Sequence, residues 1–188
     1  MIELSHVNFF YGDKNILSDF SLTVKDGDCI CLTGQSGCGK TTVLRLIAGL
    51  EKLDSGTMCT EGKISYVFQE DRLVPNLSIL NNILLCAGSK KDFAISLLKE
   101  AGLEDVINQK PDKLSGGMRR RAAIVRAVVF GGDVLLLDEP FNGLDKETKH
   151  IMAKIIKREF TEKSKTVLMV SHVPEDSEIM NTGRITLN

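Results

Sequence analysis

Apolar and polar residues alternate along two stretches near the start of the chain, at residues 2–10 and 20–24. Alternation with a period of two places the apolar side chains on one face of a β-strand. The polar sequence Tyr-Gly-Asp-Lys-Asn, at residues 11–15, lies between the two stretches. We therefore predict that the chain begins with an antiparallel hairpin.

Short runs of apolar or β-branched residues follow at 63–68, 134–137 and 166–170. Runs of this kind are typical of central strands in a sheet that helices cover on both faces. A helical pattern covers residues 145–163, with Lys and Glu on its polar side. Its apolar stripe consists of Ile151, Met152, Ile155, Ile156 and Phe160. Strands that alternate with helices predict an α/β fold with a parallel core sheet.

Length and composition are those of one compact domain over residues 1–188. The chain is 43% hydrophobic and 26% charged, with a formal net charge of −1. This is enough chain to bury a core, and its charge gives no reason to expect a nucleic-acid partner. No window approaches the roughly 18 apolar residues of a membrane span, and the start lacks the pattern of a secretion signal. We expect a soluble cytoplasmic chain unless a partner brings it to a membrane.

The five cysteines carry no metal-site signature. Cys29 and Cys31 lie on one face of a predicted strand, Cys38 lies in a loop, and Cys59 and Cys86 are isolated. No pair has the spacing of zinc ligands. We interpret them as reduced thiols that lie mostly in the core.

The strongest chemical signal is a complete phosphate-loop motif, G-x-x-x-x-G-K-[ST]. It consists of Gly34, Gln35, Ser36, Gly37, Cys38, Gly39, Lys40, Thr41 and Thr42. A predicted strand at 29–33 precedes it and a helical pattern at 43–48 follows it, which a mere glycine turn would not require. The glycines let backbone amides approach phosphate, Lys40 offers a cation to the β and γ phosphates, and the Thr41 hydroxyl can bind Mg²⁺. The sequence predicts a nucleoside triphosphate site.

Two adjacent carboxylates, Asp138 and Glu139, follow the apolar run at 134–137. Open α/β sheets bind ligands at the carboxyl ends of their strands. Asp138 is suited to hold Mg²⁺ through water beside Thr41, and Glu139 to orient or activate an attacking water. The alternative is that both carboxylates only cap the next helix.

A second helix start suited to anions lies at Ser115, Gly116 and Gly117, where a capping serine precedes two glycines. One triphosphate does not need two such helix ends within one subunit. The helix continues with Arg119, Arg120, Arg121 and Arg126. A capped helix with a solvated basic face would explain these arginines, but it would leave the glycine pair unexplained.

The order of these motifs resembles that of the ATP-binding cassette (ABC) ATPases, and the resemblance covers almost the whole chain. Tyr11 stands where the family stacks an aromatic ring on adenine, Gln69 matches its glutamine loop, and residues 114–118 match its signature motif. Asp145 lies in the loop that crosses the family's dimer interface, and His172 matches its switch histidine. The resemblance implies a P-loop NTPase of ABC type with an N-terminal antiparallel β part and a helical subdomain at about residues 70–130.

The resemblance implies that the family's residue roles fall on the matching positions of this chain, as follows. ATP and Mg²⁺ are the implied ligands, with Thr41, Gln69 and Asp138 at the metal. Lys40 and Gln69 join Glu139 and His172 in catalysis, where the last two act on the attacking water and the γ-phosphate. Ser115, Gly116 and Gly117 reach the γ-phosphate of the opposite subunit, in a head-to-tail dimer with a second copy or a paralogous ATPase.

Within the family, residues 67–77 and the sequence Leu-Ser-Gly-Gly-Met-Arg resemble importer ATPases of the nitrate, sulfonate and taurine type. The resemblance implies that residues 70–112 receive a transmembrane permease, which holds the protein at the inner face of the cell membrane. Helical spacing of Phe93, Leu97, Leu98 and Ala101 independently predicts a helix in this segment. Cargo selectivity is expected to lie in the partner proteins.

Some positions depart from the family pattern, and they bear on regulation and turnover rate. They are Asn142, Gly143, Val173 and Pro174. The short stretch after His172 predicts no C-terminal regulatory domain. Two alternatives remain, a soluble ABC ATPase of DNA repair or translation and a regulatory module without turnover. The first calls for two cassettes or a long inserted arm, and the second for loss of Glu139 or His172; the chain shows neither.

Overall fold

An antiparallel sheet opens the computed structural model of the protein, which describes residues 1–187. Its strands are β1 (Ile2–Tyr11), β2 (Lys14–Val24) and β4 (Ser55–Thr60), in the order β2-β1-β4. The predicted hairpin is confirmed, although β2 begins at residue 14 and not at 20. Irregular register near His6 and Asp19, both with positive φ, interrupts the alternation while the two backbones stay paired.

The second sheet is parallel, as predicted, and has the strand order β5-β6-β7-β3-β8. Its strands are β3 (Cys29–Thr33), β5 (Ile64–Val67), β6 (Val134–Asp138), β7 (Thr166–Val170) and β8 (Gly183–Thr186). Every residue of β6 and β7 is buried, because both faces of the sheet are covered. Two strands were not predicted. β4 and β8 lie at sheet edges and lack apolar runs, so pairing and not sequence pattern defines them.

Six α-helices lie among the described residues. They are α1 (Lys40–Ile47), α2 (Ile79–Ala87), α3 (Lys91–Glu100), α4 (Gly116–Phe130), α5 (Lys146–Glu159) and α6 (Pro174–Met180). The helix predicted over 145–163 is α5, which Asp145 caps, followed by a short 3₁₀ turn at Thr161–Lys163. In residues 1–187 no helix combines the length and the apolarity that crossing a bilayer demands.

Two hydrophobic cores lie on opposite faces of the parallel sheet. Leu135 and Leu137 of β6 pack into the core beside α2–α5, whereas Val134 and Leu136 pack into the core shared with α1 and the antiparallel sheet. Helices α2, α3 and α4 pack on one another within the segment predicted as a helical subdomain. The limits of that subdomain and the single-domain assignment stay predictions.

The interpretation of the cysteines as mostly core residues is confirmed for three of the five, since Cys31 lies in one hydrophobic core and Cys29 and Cys38 pack against the cores. Cys31 is buried, Cys29 and Cys38 are partly buried, and Cys59 and Cys86 are exposed. Cys59 lies on the edge strand β4, where alternate side chains face solvent. Burial raises the pKa of the Cys31 thiol to about 11.

Candidate nucleotide-binding and catalytic site

A cavity of about 640 Å³ lies at the carboxyl end of the parallel sheet, and predicted site residues from distant parts of the chain line it together. The lining is formed by Tyr11, Ile16, Ser36, Gly37, Gly39, Lys40, Thr41, Thr42, Gln69, Glu139, Val170 and His172. This volume suits a nucleotide-sized ligand.

Backbone geometry of the phosphate loop requires glycine at its two ends. Gly34 and Gly39 have φ angles of 145° and 100°, which side-chain-bearing residues rarely adopt. A Cβ at Gly34 would overlap the Leu187 carbonyl oxygen, and a Cβ at Gly39 would lie 3.2 Å from the Ile16 carbonyl oxygen. Gly37 instead faces open space, so phosphate can approach its backbone. This cradle fits a phosphate chain at the start of α1.

Lys40 folds over the loop and is 7% exposed. Its Nζ donates hydrogen bonds to the carbonyl oxygens of Gly34 at 2.9 Å and Gln35 at 2.7 Å. The Cys38 Sγ atom lies 3.6 Å from the same nitrogen. Thus Gly34, Gln35 and Cys38 shape the loop around Lys40, outside the cavity lining. A buried ammonium that contacts carbonyls is suited to an anion arriving in the cavity.

Thr41 and Asp138 bring two oxygen donors together beside the loop. The Thr41 hydroxyl donates to Asp138 Oδ1 at 3.1 Å, and Gln69 lines the adjoining depression with both residues. Burial raises the pKa of the Asp138 carboxyl, and the Thr41 hydrogen bond opposes that shift. Residues 1–187 contain no group of three or more His, Cys, Asp or Glu arranged around a metal position. Mg²⁺ at nucleotide sites is usually bound by one or two protein oxygens together with phosphate oxygens and water. The Thr41 and Asp138 oxygens therefore fit a Mg²⁺ site.

Glu139 and His172 meet at the cavity. His172 Nδ1 lies 3.0 Å from Glu139 Oε1, although the two residues are far apart in sequence. Glu139 has a positive φ of 47°, which turns its side chain into the cavity while Asp138 points to the neighbouring depression. The alternative that the two carboxylates cap the following helix is wrong, because Asp145 caps α5.

Tyr11 ends β1 and is 46% exposed at the edge of the cavity. Its hydroxyl donates to Glu51 Oε1 at 3.2 Å, and Phe9 packs edge-to-face against its ring at 4.8 Å. Arg45 Nη2 binds the same Glu51 oxygen at 2.7 Å. The sequence does not single out Arg45 and Glu51, because an ion pair next to a helix end has no distinctive residue spacing.

The second predicted anion site lies apart from this cavity. Ser115 caps α4, and its Oγ accepts a hydrogen bond from the Met118 amide at 3.3 Å. Neither the Ser115–Gly117 segment nor Asp145 belongs to the lining that the described residues form. Hydrogen bonds from the Thr148 amide and hydroxyl lower the pKa of the Asp145 carboxyl. Within one subunit, then, the structure does not bring the two predicted anion sites together.

The arginines of α4 do not form a solvated basic face, which was the alternative to an anion site at this helix. Arg120 is buried, and the other three arginines donate to backbone carbonyls. Arg121 binds the Ala101 and Gly102 carbonyls, and Arg126 binds those of Asp71 and Arg72. Helix-terminal and loop carbonyls lack backbone partners, and these guanidinium groups supply them.

A family comparison decides which proteins share this arrangement. Residues 17–142 match the family model described as ABC transporter. The chain belongs to the ABC transporter family. It is 38% identical over 186 residues to the aliphatic sulfonates import ATP-binding protein SsuB 1 of Rhodococcus jostii. The aligned region covers 96% of this chain and 76% of that protein.

Other ABC relatives import a different class of cargo. The chain is 37% identical over 205 residues to the spermidine/putrescine import ATP-binding protein PotA of Haemophilus influenzae. It spans 55% of that relative and 59% of an aliphatic sulfonates import protein from Paraburkholderia xenovorans, to which it is 40% identical over 201 residues. The predicted resemblance to importer ATP-binding proteins is confirmed.

Two solved ABC structures share the fold closely. One is described as the dimeric structure of a bacterial ABC transporter cassette, with a TM-score of 0.89, 30% identity and coverage of 100% of this chain and 94% of that one. The other is described as a dimeric post-hydrolysis state bound to ADP and Pi, with a TM-score of 0.89, 29% identity and the same coverage. The predicted ABC fold class is confirmed, and these findings favour a transporter ATPase over both alternatives.

Proposed function

We propose that this protein is the ATP-hydrolysing subunit of an ABC importer and that it works as a dimer with ATP at the interface. The observation that carries the proposal is the contact between Glu139 and His172 at a cavity that also holds the phosphate loop. Phosphoryl transfer to water needs a phosphate cradle, a base and a group that stabilises charge, and this cavity contains all three.

Binding of ATP divides between two parts of the cavity. Tyr11 stacks on adenine at the cavity edge, while the loop amides and Lys40 hold the phosphates. Thr41, Gln69 and Asp138 would hold Mg²⁺, which would neutralise negative charge on the phosphates. Lys40 leaves the Gly34 and Gln35 carbonyls for phosphate oxygens, which are stronger acceptors because they are charged.

Glu139 and His172 carry out the hydrolysis step. The Glu139 carboxylate accepts a proton from the attacking water, and the His172 Nδ1–H donates to Glu139 and so orients the carboxylate. Lys40 and His172 stabilise charge at the γ-phosphate. Gln69 lines the same cavity, where it positions the metal and the water.

The dimer explains the separated helix end. In a two-fold arrangement Ser115, Gly116 and Gly117 of each subunit face the γ-phosphate bound by the other, and Asp145 lies on the loop between them. Both solved relatives are described as dimeric. A second copy of this chain or a paralogous ATPase completes each site.

A permease is the proposed membrane partner, and it docks on residues 70–112. Exposed apolar side chains occur in this segment at Val74 and Leu85, the latter 67% exposed. An adjacent depression of about 320 Å³ includes Phe68, Cys86 and Phe130. Docking there holds the protein at the inner face of the membrane. Relatives named for sulfonates and for spermidine match at similar identity, so we assign cargo selectivity to the partners.

Cross-linking tests this assignment. A photo-reactive amino acid at Leu85 is expected to capture an integral membrane protein when the protein is expressed in its own cells. The same group at Asp26, exposed in the turn between β2 and β3, is the control. Equal capture from both positions, or capture only of soluble proteins from Leu85, would contradict the permease assignment.

Tyr11→Ala is expected to weaken ATP and GTP binding alike by roughly 1–3 kcal/mol, because ring stacking barely distinguishes among bases. Tyr11→Phe and Tyr11→Trp keep an aromatic ring, and we expect both to retain affinity. Inorganic triphosphate has no base, so its affinity serves as the control and stays unchanged in all variants. Calorimetric titration measures these affinities; undiminished ATP binding by Tyr11→Ala would remove Tyr11 from the adenine site.

A further inference from the structure

Arg120 is buried under the catalytic strand end, with 4% of the residue exposed. Its side chain leaves α4 one turn after the signature glycines and donates to the backbone carbonyls of two segments. Nε binds Pro140 at 2.9 Å, Nη2 binds Asp138 at 2.6 Å and Glu139 at 2.7 Å, and Nη1 binds Phe68 and, at 3.3 Å, Gln69.

These contacts match the donor capacity of arginine in full. A guanidinium has five N–H groups in a planar fork, and the five carbonyls take one bond each. Asp71 Oδ1 lies 3.6 Å from Nη1. Burial lowers the pKa of the Arg120 guanidinium, and the nearby carboxylates of Asp71, Asp138 and Glu139 oppose that shift. Buried charge is costly without such full pairing, so the site is built around a guanidinium.

The two segments need this link because the sheet does not hold them together at this level. The β5–β6 ladder ends at the pair Val67 and Leu137. On its other side, Glu139 is tied to β7 by its amide, which donates to the Val170 carbonyl at 2.9 Å. The bonds from Arg120 therefore continue the connection where the ladder stops.

Strain at Glu139 makes the link more important. Its φ of 47° lies in the left-handed region, where a residue with a Cβ is held only when its surroundings enforce the conformation. This turn aims the carboxylate at the cavity and at His172. Arg120 binds carbonyls on both sides of the turn, at Asp138 and Pro140, as well as that of Glu139 itself.

We infer that Arg120 is a positioning residue for ATP hydrolysis, which holds the backbone of Gln69 and of Glu139 in one fixed arrangement and ties both to the signature helix α4. The inference rests on the proposed ATPase function. Arg120 extends from α4, the helix that begins at Ser115–Gly117. Within one subunit it therefore connects the helix end proposed to face the partner's ATP with the Glu139 carboxylate proposed to act on the ATP of the same subunit.

Steady-state kinetics with Arg120→Lys and Arg120→Met test the inference. Lys retains a charge but only three donors from one point, and Met fills similar space with no charge to bury. We expect kcat to fall at least about tenfold in both, since misplacement of a catalytic group by ~1 Å can cost 10²-fold. The affinity for ATP stays within a few-fold, because Tyr11, Lys40 and the loop amides are unchanged.

Arg121→Lys and Arg121→Met are the matched controls. Arg121 neighbours Arg120 on α4 and also binds carbonyls, but those of Ala101 and Gly102, away from the cavity. We expect less than a twofold change in kcat for both. A kcat near the parent value in a folded Arg120 variant would overturn the inference, as would an equal fall in the Arg121 controls.

A double-mutant cycle separates positioning from general stability. In the Glu139→Gln background the part of the loss that acts through the carboxylate is already gone, so adding Arg120→Met is expected to lower the residual turnover by a clearly smaller factor than it lowers that of the parent. Additive losses would overturn the inference. Failure of both Arg120 variants to fold, judged by circular dichroism, would assign Arg120 to folding and overturn it too. A parent that releases no phosphate from Mg-ATP would instead refute the proposed function.

Discussion

Glu139→Gln is expected to accumulate as a dimer in Mg-ATP while its turnover falls by about 10²–10⁴-fold, the range typical of lost acid–base help. Glutamine keeps the shape of the side chain but cannot accept the water's proton. In the proposed dimer each ATP joins two subunits, so ATP binding shifts the monomer–dimer equilibrium toward the dimer by mass action until hydrolysis removes the γ-phosphate. With hydrolysis blocked, the dimer persists.

Size-exclusion chromatography with light scattering measures this change, with and without Mg-ATP. Ser115→Arg is the matched control, because a bulky side chain at the start of α4 obstructs the helix end without touching the cavity of its own subunit. That variant is expected to bind ATP as a monomer and to hydrolyse it poorly. A Glu139→Gln protein that stays monomeric at tens of micromolar would exclude an ATP-driven dimer of the isolated subunit.

Lys40→Ala is expected to remove most of the phosphate-dependent affinity for ATP. The Lys40 ammonium already lies against the loop, bonded to the Gly34 and Gln35 carbonyls. Lys40 is also the one lysine or arginine among the residues that line the described cavity. Loss of a charge-assisted contact to two phosphates costs several kcal/mol of binding free energy, and each ~1.4 kcal/mol lowers the affinity about tenfold.

Calorimetric titration in Mg²⁺ checks this result, and Lys91→Ala, at the exposed start of α3, is the control. Circular dichroism establishes that the variant folds, because Lys40 also bridges its own loop. Should ATP affinity stay within a few-fold of the parent, the assignment of residues 34–42 as the phosphate site would be wrong.

Central strands and the phosphate loop were predictable from the chain because their signals are local. An apolar run such as 134–137 can only be satisfied by burial on both faces, and β6 and β7 follow the predicted limits closely. Glycine at residues 34 and 39 reflects a backbone conformation that other residues avoid. The edge strands β4 and β8 were missed, since their polar residues pair through backbone groups that every residue possesses.

By itself the sequence determined the motif order, the parallel core and the identity of the groups that can bind phosphate or metal. Only the tertiary structure decided that His172 meets Glu139 and that Arg120 lies beneath the segments at 68–69 and 138–140. The physical reason is the nature of the acceptors. Arg120 binds backbone carbonyls, which are the same at every position, so no pattern of residue types could distinguish its buried role from that of a solvated basic face.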